Sequence, residues 1–293
     1  MSYFQAVVLG FLQGVTELFP VSSLGHTVLF PTLFGWHAVV KFQSQSESPW
    51  LAFVVMLHVG SALGLLFYYR RDWVVLIKGL FRSLAKRRVQ TSDERLVWLL
   101  IVASIPTGVL GLAFEHKFRT LTAKPLDAAI FLVVNGFLLL GAERFRRRAE
   151  VRELAVREGA KPDGGRQLRT LEYREAAVIG VAQSSALLAG ISRDGVVMGA
   201  GLARGLDHSD SARFAFLLAT PIILAAGLFK LPDLLGHLGD GIRGQAVVAA
   251  AVAAVTAVFT VAWLVRYFKS RTLTPFAAYC LLFGVAMVIY TQT

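Results

Sequence analysis

Between Gly10 and His26 the sequence GFLQGVTELFPVSSLGH places Gln13, Glu17, Ser22, Ser23 and His26 inside an otherwise apolar stretch. Far along the chain, GISRDG adds Ser192 and Arg193, followed by Gly195. A serine hydroxyl is a nucleophile, and an imidazole or carboxylate can take its proton. A guanidinium is always charged and matches phosphate oxygens two at a time. Set around backbone N–H groups freed at a helix break, these groups suit phosphoryl transfer. Gln13 and Glu17 lie four apart and so share one helix face. Each residue alone has a plainer explanation. Serines in membrane helices bond to their own backbone, a single histidine is commonly a satisfied interior group, and Arg193 can pair with Glu17 or the adjacent Asp194. The set argues for a site more strongly than its members do.

Such groups must be positioned by elements that bear their cost. A charge near a bilayer centre costs about 2.5–3.5 kcal/mol, so charge inside a span implies function. Gly10, Gly14, Pro20 and Gly25 are expected to break the first segment into two half-helices meeting at a buried turn.

The remaining sequence is that of an integral membrane protein. Of 293 residues 55% are hydrophobic and only 17% charged, too few charges for a soluble domain. Six apolar runs approach the length of a membrane span: 51–69, 98–114, 126–142, 214–229, 246–265 and 273–291. The expected fold is therefore all-α, with six transmembrane helices plus two re-entrant broken segments. The N-terminal segment is no signal peptide, because it lacks a basic start and carries Glu17 and His26 in its core. The single Cys280 excludes an internal disulfide and a cysteine metal cage.

The net charge of +11 is unevenly spread. Arginines and lysines crowd residues 70–95, 144–174 and 266–271, and the alternate loops hold few. With six spans all three rich segments fall on one side, which the positive-inside rule makes cytoplasmic. Topology and attraction to anionic lipid explain this charge, and nucleic-acid binding is not needed.

The chain also echoes itself at an offset of 170 residues: Gly10, Gln13, Ser22 and Gly25 recur as Gly180, Gln183, Ser192 and Gly195. Pro106 and Pro221 are expected to break comparable spans. With the 70–97 loop cytoplasmic, the first broken segment enters from outside and the second, after Tyr173 and Arg174, from inside. The halves 1–143 and 175–293 then form an inverted repeat joined by a basic, solvated cytoplasmic linker, 144–174. Paired breaks of this kind meet at a midplane site, which would bring Glu17 to Arg193. His58, in LHVGSALG, is a weaker candidate that lines the interior. Asp207, His208 and Asp210 read as loop and helix-start residues. Glu115 and Glu143 sit at span ends, where charge costs little.

GVTELFPVSSLGH resembles the first signature of the undecaprenyl-diphosphate phosphatase family associated with bacitracin resistance, (E/Q)xxxE followed by PVSSxGH. The matching residues are Gln13, Glu17, Pro20, Val21, Ser22, Ser23, Gly25 and His26. LHVGSALG matches that family's pattern after the first span, and GISRDG resembles its PGxSRSG through Gly190, Ser192, Arg193 and Gly195. Three positions depart: Ala189 for proline, Asp194 for serine and Val197 for a nearby threonine. The resemblance implies hydrolysis of a polyprenyl diphosphate in the bacterial plasma membrane, which recycles the carrier lipid of cell-wall glycans. Under it, Arg193 clamps the diphosphate with Ser192, Gly25 and Gly195 beside it. Glu17, aided by Gln13, would hold Mg²⁺ or Ca²⁺, and Ser22, Ser23 or a water attacks with His26 as base. The rival reading is a polyprenyl-phosphate translocase using the same inverted-repeat site, and the sequence is compatible with a homo-oligomer.

Overall fold

A computed structural model of the chain describes residues 1–43, 50–113, 124–156, 166–236 and 239–292. Among the described residues every regular element is helical, apart from one isolated backbone bridge between Arg166 and Leu206. Helix α1 (Tyr3–Thr16) starts on a reciprocal cap between Ser2 and Gln5. After a break at 17–22 follow α2 (Ser23–Leu33) and the short α3 (His37–Gln43). Helices α4 (Trp50–Tyr68), α5 (Arg70–Lys86), α6 (Ser92–Ala113) and α7 (Pro125–Val156) complete the first part. The second part holds α8 (Tyr173–Gln183), a break, α9 (Arg193–Ala203), α10 (His208–Leu235), α11 (Arg243–Tyr267) and α12 (Thr274–Tyr290).

Five helices are long and apolar enough to cross a membrane: Trp50–Tyr68, Ser92–Ala113, Pro125–Arg148, His208–Phe229 and Arg243–Tyr267. These coincide with five of the six expected spans. The sixth, 273–291, appears as the apolar but shorter α12, of 17 residues.

Packing relies on small residues, as expected where lipid offers apolar side chains no reason to prefer one another. Gly10 and Gly14 do not break α1, contrary to expectation. They let it approach α11, where a Cβ on Gly14 would stand 2.7 Å from the Ala253 carbonyl and 2.6 Å from Thr256 Cβ. Gly60 and Gly64 bring α4 against Ala250 and Ala254, the adjoining face of α11. The alanine run of α11 is thus the filling between two glycine-faced helices. Gly180 of α8 closes on Ala103 of α6 in the same way. The two prolines expected to break helices, Pro106 and Pro221, lie inside continuous α6 and α10.

The basic segments also differ from open loops. Residues 70–86 form α5, and α7 continues past its apolar run as far as Val156. At the far end of the expected linker, Leu168 and Leu171 are buried, and Arg166 donates to Glu175 at 2.6 Å. Glu143 does not sit in a cheap exposed position. It is buried and accepts from His208 Nε2 at 2.6 Å and from the Leu273 amide at 2.7 Å, joining α7, α10 and the start of α12. Asp207 caps α10, as its type suggests, through the Asp210 amide. Glu115 lies outside the described residues.

Candidate active site

The two breaks meet. Ser22 caps α2 by accepting the Gly25 amide at 3.3 Å, and Ser192 caps α9 by accepting the Gly195 amide at 3.1 Å. These are the residue pairs related by the 170-residue offset. Each break also touches the other. The Ser22 hydroxyl accepts the Gly190 amide at 3.1 Å, and a Cβ on Gly25 would lie 3.0 Å from Gly190 Cα. A Cβ on Gly195 would reach Pro20 at 3.3 Å. At Gly25 a side chain would press on the backbone of Gly190, and at Gly195 on the side chains of Leu139, Ser192 and Pro20. Ser22 carries φ +69°, a region costly for a residue with a side chain, and its two accepted hydrogen bonds hold it there.

Asn135, fully buried on α7, completes the junction. Its amide donates to the Pro20 carbonyl at 2.9 Å, and its oxygen accepts from the Ser192 amide at 2.9 Å. One side chain thereby ties the two breaks together and satisfies backbone groups that would otherwise be buried unpaired. The sequence reading missed it. The signal was present: an amide within the apolar run FLVVNGFLLL.

Glu17, 6% exposed, ends α1 at the edge of the first break. Three donors and a histidine ring nitrogen converge on its carboxylate. Arg193 Nη2 and the Ser23 hydroxyl donate to Oε1 and Oε2, Gln13 Nε2 reaches Oε2 at 3.0 Å, and His58 Nε2 stands 3.3 Å from Oε2. A carboxylate in this setting must be paired and hydrogen-bonded, and it is both. Residues 176 apart in sequence are brought into one ion pair, as the repeat implied. Arg193 also lies 3.3 Å from Asp194 Oδ1, so it sits between two carboxylates. Asp194 Oδ2 is buried without a partner.

These groups face a cavity of about 160 Å³. Glu17, Ser22, Ser23, Ser192 and Arg193 line it, with Leu24, Leu187, Ile191 and Ile222 as apolar walls. Gln13 sits behind Glu17, and Gly25 and Gly195 form the interlock. His26 lies elsewhere. It is fully buried, its Nδ1 bonds the Ser22 carbonyl at 2.7 Å, its Nε2 meets the Tyr279 hydroxyl at 2.8 Å, and it does not line the cavity.

His58, weighed as the weaker histidine, does line the cavity. Its Nδ1 donates to the Val54 carbonyl at 2.8 Å, which aims Nε2 at Glu17 and to within 3.4 Å of Ser23 Oγ. Gln183, the repeat mate of Gln13, lines the opposite wall and donates to Thr107 at 2.8 Å. The three residues that depart from the second signature are all buried: Ala189, Asp194 and Val197.

Among the described residues no group of three or more His, Cys, Asp or Glu side chains could hold a metal. A hard cation that keeps most of its water still fits at Glu17. Gln13 Oε1 is buried without a hydrogen-bond partner, an oxygen donor to spare beside the carboxylate.

Comparison with known proteins places this arrangement. The model of the family described as bacitracin resistance protein BacA matches residues 6–286. An undecaprenyl-diphosphatase 2 of Frankia alni is 49% identical, over 99% of this chain and 98% of its own length. An undecaprenyl-diphosphatase of Mycolicibacterium paratuberculosis is 51% identical over 99% and 97%. The undecaprenyl-diphosphatase 2 of Chromobacterium violaceum is 41% identical over 99% of both chains. With a family model spanning nearly its whole length and relatives this similar end to end, the chain belongs to the bacitracin resistance protein BacA family.

Proposed function

We propose that the protein is a membrane phosphatase that hydrolyses undecaprenyl diphosphate to the monophosphate and inorganic phosphate, recycling the carrier lipid in the bacterial plasma membrane. The observation that carries this reading is the convergence of Ser23, Glu17 and Arg193 on one cavity among membrane-length helices. Both α2 and α9 begin at this junction, and a helix N-terminus favours an anion. The isoprenoid stays in the bilayer while its diphosphate reaches the cavity. Six spans and two re-entrant segments in inverted halves, with residues 144–174 cytoplasmic, form the arrangement that fits this use.

Ser23 is the nucleophile rather than Ser22. The Ser22 oxygen is committed to two amides and holds a strained turn, whereas Ser23 donates directly to Glu17. The diphosphate draws Arg193 from Glu17 and is held bidentately by its guanidinium. As Ser23 Oγ bonds to the terminal phosphorus, the bond to the bridging oxygen breaks and the Ser23 proton passes to Glu17. Glu17 passes this proton to the departing undecaprenyl monophosphate and is again a carboxylate. A water then attacks the phosphoserine and gives its proton to Glu17, phosphate departs, and Ser23 is reprotonated. His26 positions the Ser22 turn through its carbonyl. A divalent cation held by Glu17 and Gln13 Oε1 would offset the charge of the diphosphate.

Phosphate release from undecaprenyl diphosphate by the purified protein in detergent tests this reading, since a translocase would release none. Ser23→Ala and Arg193→Ala should each lower the rate at least about 100-fold. Release within tenfold of wild type in Ser23→Ala would remove that residue as nucleophile.

A further inference from the structure

Helix α5 follows α4 after the single residue Tyr69 and presents three distinct faces. Leu76, Gly79 and Ser83 are buried against the start of α6: Gly79 would place a Cβ 3.5 Å from the Glu94 backbone, and Ser83 accepts from Trp98 Nε1 at 3.0 Å. A second face carries Val74, Ile77, Phe81 and Leu84, all exposed, with Phe81 67% exposed. Their spacing of three, four and three residues puts them in one stripe. Beside that stripe run Arg71, Lys78, Arg82 and Lys86. Arg82 lies 3.9 Å from Glu94 and Lys86 bonds Gln90, while neither Arg71 nor Lys78 has a described partner. Arg87 and Arg88 follow at the helix end.

Water would oppose the apolar stripe, and a bilayer core would oppose the basic one. Only an interface satisfies both, apolar residues reaching acyl chains and cations meeting headgroups. The helix is also anchored at that level, since it leaves the end of one span and abuts the start of the next. The charge beside the stripe is positive, and the one acidic residue of the helix, Asp72, is paired with Arg213, which selects an anionic partner. We propose that α5 is an interfacial binding surface for anionic phospholipid, lying in the headgroup region of the leaflet that the positive charge assigns to the cytoplasm. Its occupant is a negatively charged headgroup held by Arg71, Lys78 and Lys86 with Phe81 and its neighbours in the acyl layer. This surface is separate from the cavity and does not depend on the reaction catalysed there.

The test uses the full chain in mixed micelles holding equal phosphatidylcholine and phosphatidylglycerol, with retained lipid quantified by mass spectrometry. Wild type should retain phosphatidylglycerol preferentially. The triple variant Arg71→Gln, Lys78→Gln, Lys86→Gln should lose at least about tenfold of that preference, each charge near an anionic surface being worth about fivefold. An unchanged preference, or none in wild type, overturns the proposal. Nitroxide labels at Ile77→Cys and, separately, Lys78→Cys in vesicles of the same lipids give a second reading that does not depend on the triple variant's folding; Cys280 is buried. The Ile77 label should be relaxed by oxygen and the Lys78 label by an aqueous nickel chelate. A water-exposed label at Ile77, or spin–spin broadening there from a second copy, overturns it.

Discussion

Glu17 is the residue on which the polar groups of the cavity converge, because one carboxylate meets Ser23, Arg193, Gln13 and His58 at once. Its amide donor Gln13 comes from its own helix turn, so that pairing could be read from spacing. Ser23 follows six residues later, across a break. His58 is different. It arrives on another helix, and nothing around LHVGSALG distinguishes it from an ordinary interior histidine. His26 stood in the recognisable motif, yet its ring is enclosed by Tyr279 and Phe283. Under the proposed reaction, in which Ser23 donates to Glu17, the role assigned to His58 is to hold the carboxylate in place. His58→Leu should therefore lower kcat for phosphate release about 10–100-fold with KM within about threefold, as expected for a displaced catalytic group. His58→Gln should restore most of the rate, because its amide can bond Glu17 from the same helix position. A glutamine variant as slow as the leucine one would mean that the ring itself carries protons.

At the scale of elements, the informative comparison is between glycines that break a helix and glycines that let helices meet. In an apolar segment both look the same, which is why Gly10 and Gly14 were expected to interrupt α1 when they face α11. The break lies at residues 17–22, where Pro20 cannot donate and Ser22 adopts φ +69°. In the second segment Gly190 has φ +103°, and a Cβ there would fall 2.7 Å from both the Leu132 amide and Phe131 Cβ. Gly190→Ala is accordingly expected to cost about 2–4 kcal/mol from strain and overpacking together. A lower unfolding temperature in detergent, with phosphate release reduced in the folded fraction, would be the observable result. An unshifted melt would show that the turn has another conformation available.

At the scale of the whole molecule, two buried polar residues of α7 join distant parts of the chain. Glu143 gathers α7, α10 and the approach to α12, and Asn135 links α7 to both breaks. Replacing Asn135 by alanine leaves the Ser192 amide buried without a partner and the Pro20 carbonyl with only the Cys280 thiol at 4.0 Å, at about 1–3 kcal/mol for each unsatisfied group. The expected outcome for Asn135→Ala is a lowered melting temperature and weaker turnover, since Glu17 and Arg193 are held by the two segments it ties. Full stability and turnover in that variant would show that the breaks interlock through Ser22 and the glycines alone.

Much of this was legible in the sequence. Hydropathy located five spans that the structure reproduces as long helices, because every backbone group in lipid must be satisfied within its own helix. The polar groups inside apolar segments, and their recurrence at a fixed offset, marked Glu17, Ser23 and Arg193, because burying such groups is too costly to persist without use. What only the tertiary structure decided is which of the available groups meet. Serine 22 or 23, histidine 26 or 58, glycine as hinge or as contact: each choice depends on directions of side chains across helices far apart in the chain. Local sequence specifies a helix and its faces. The partner on the other side of each face exists only once the helices are packed.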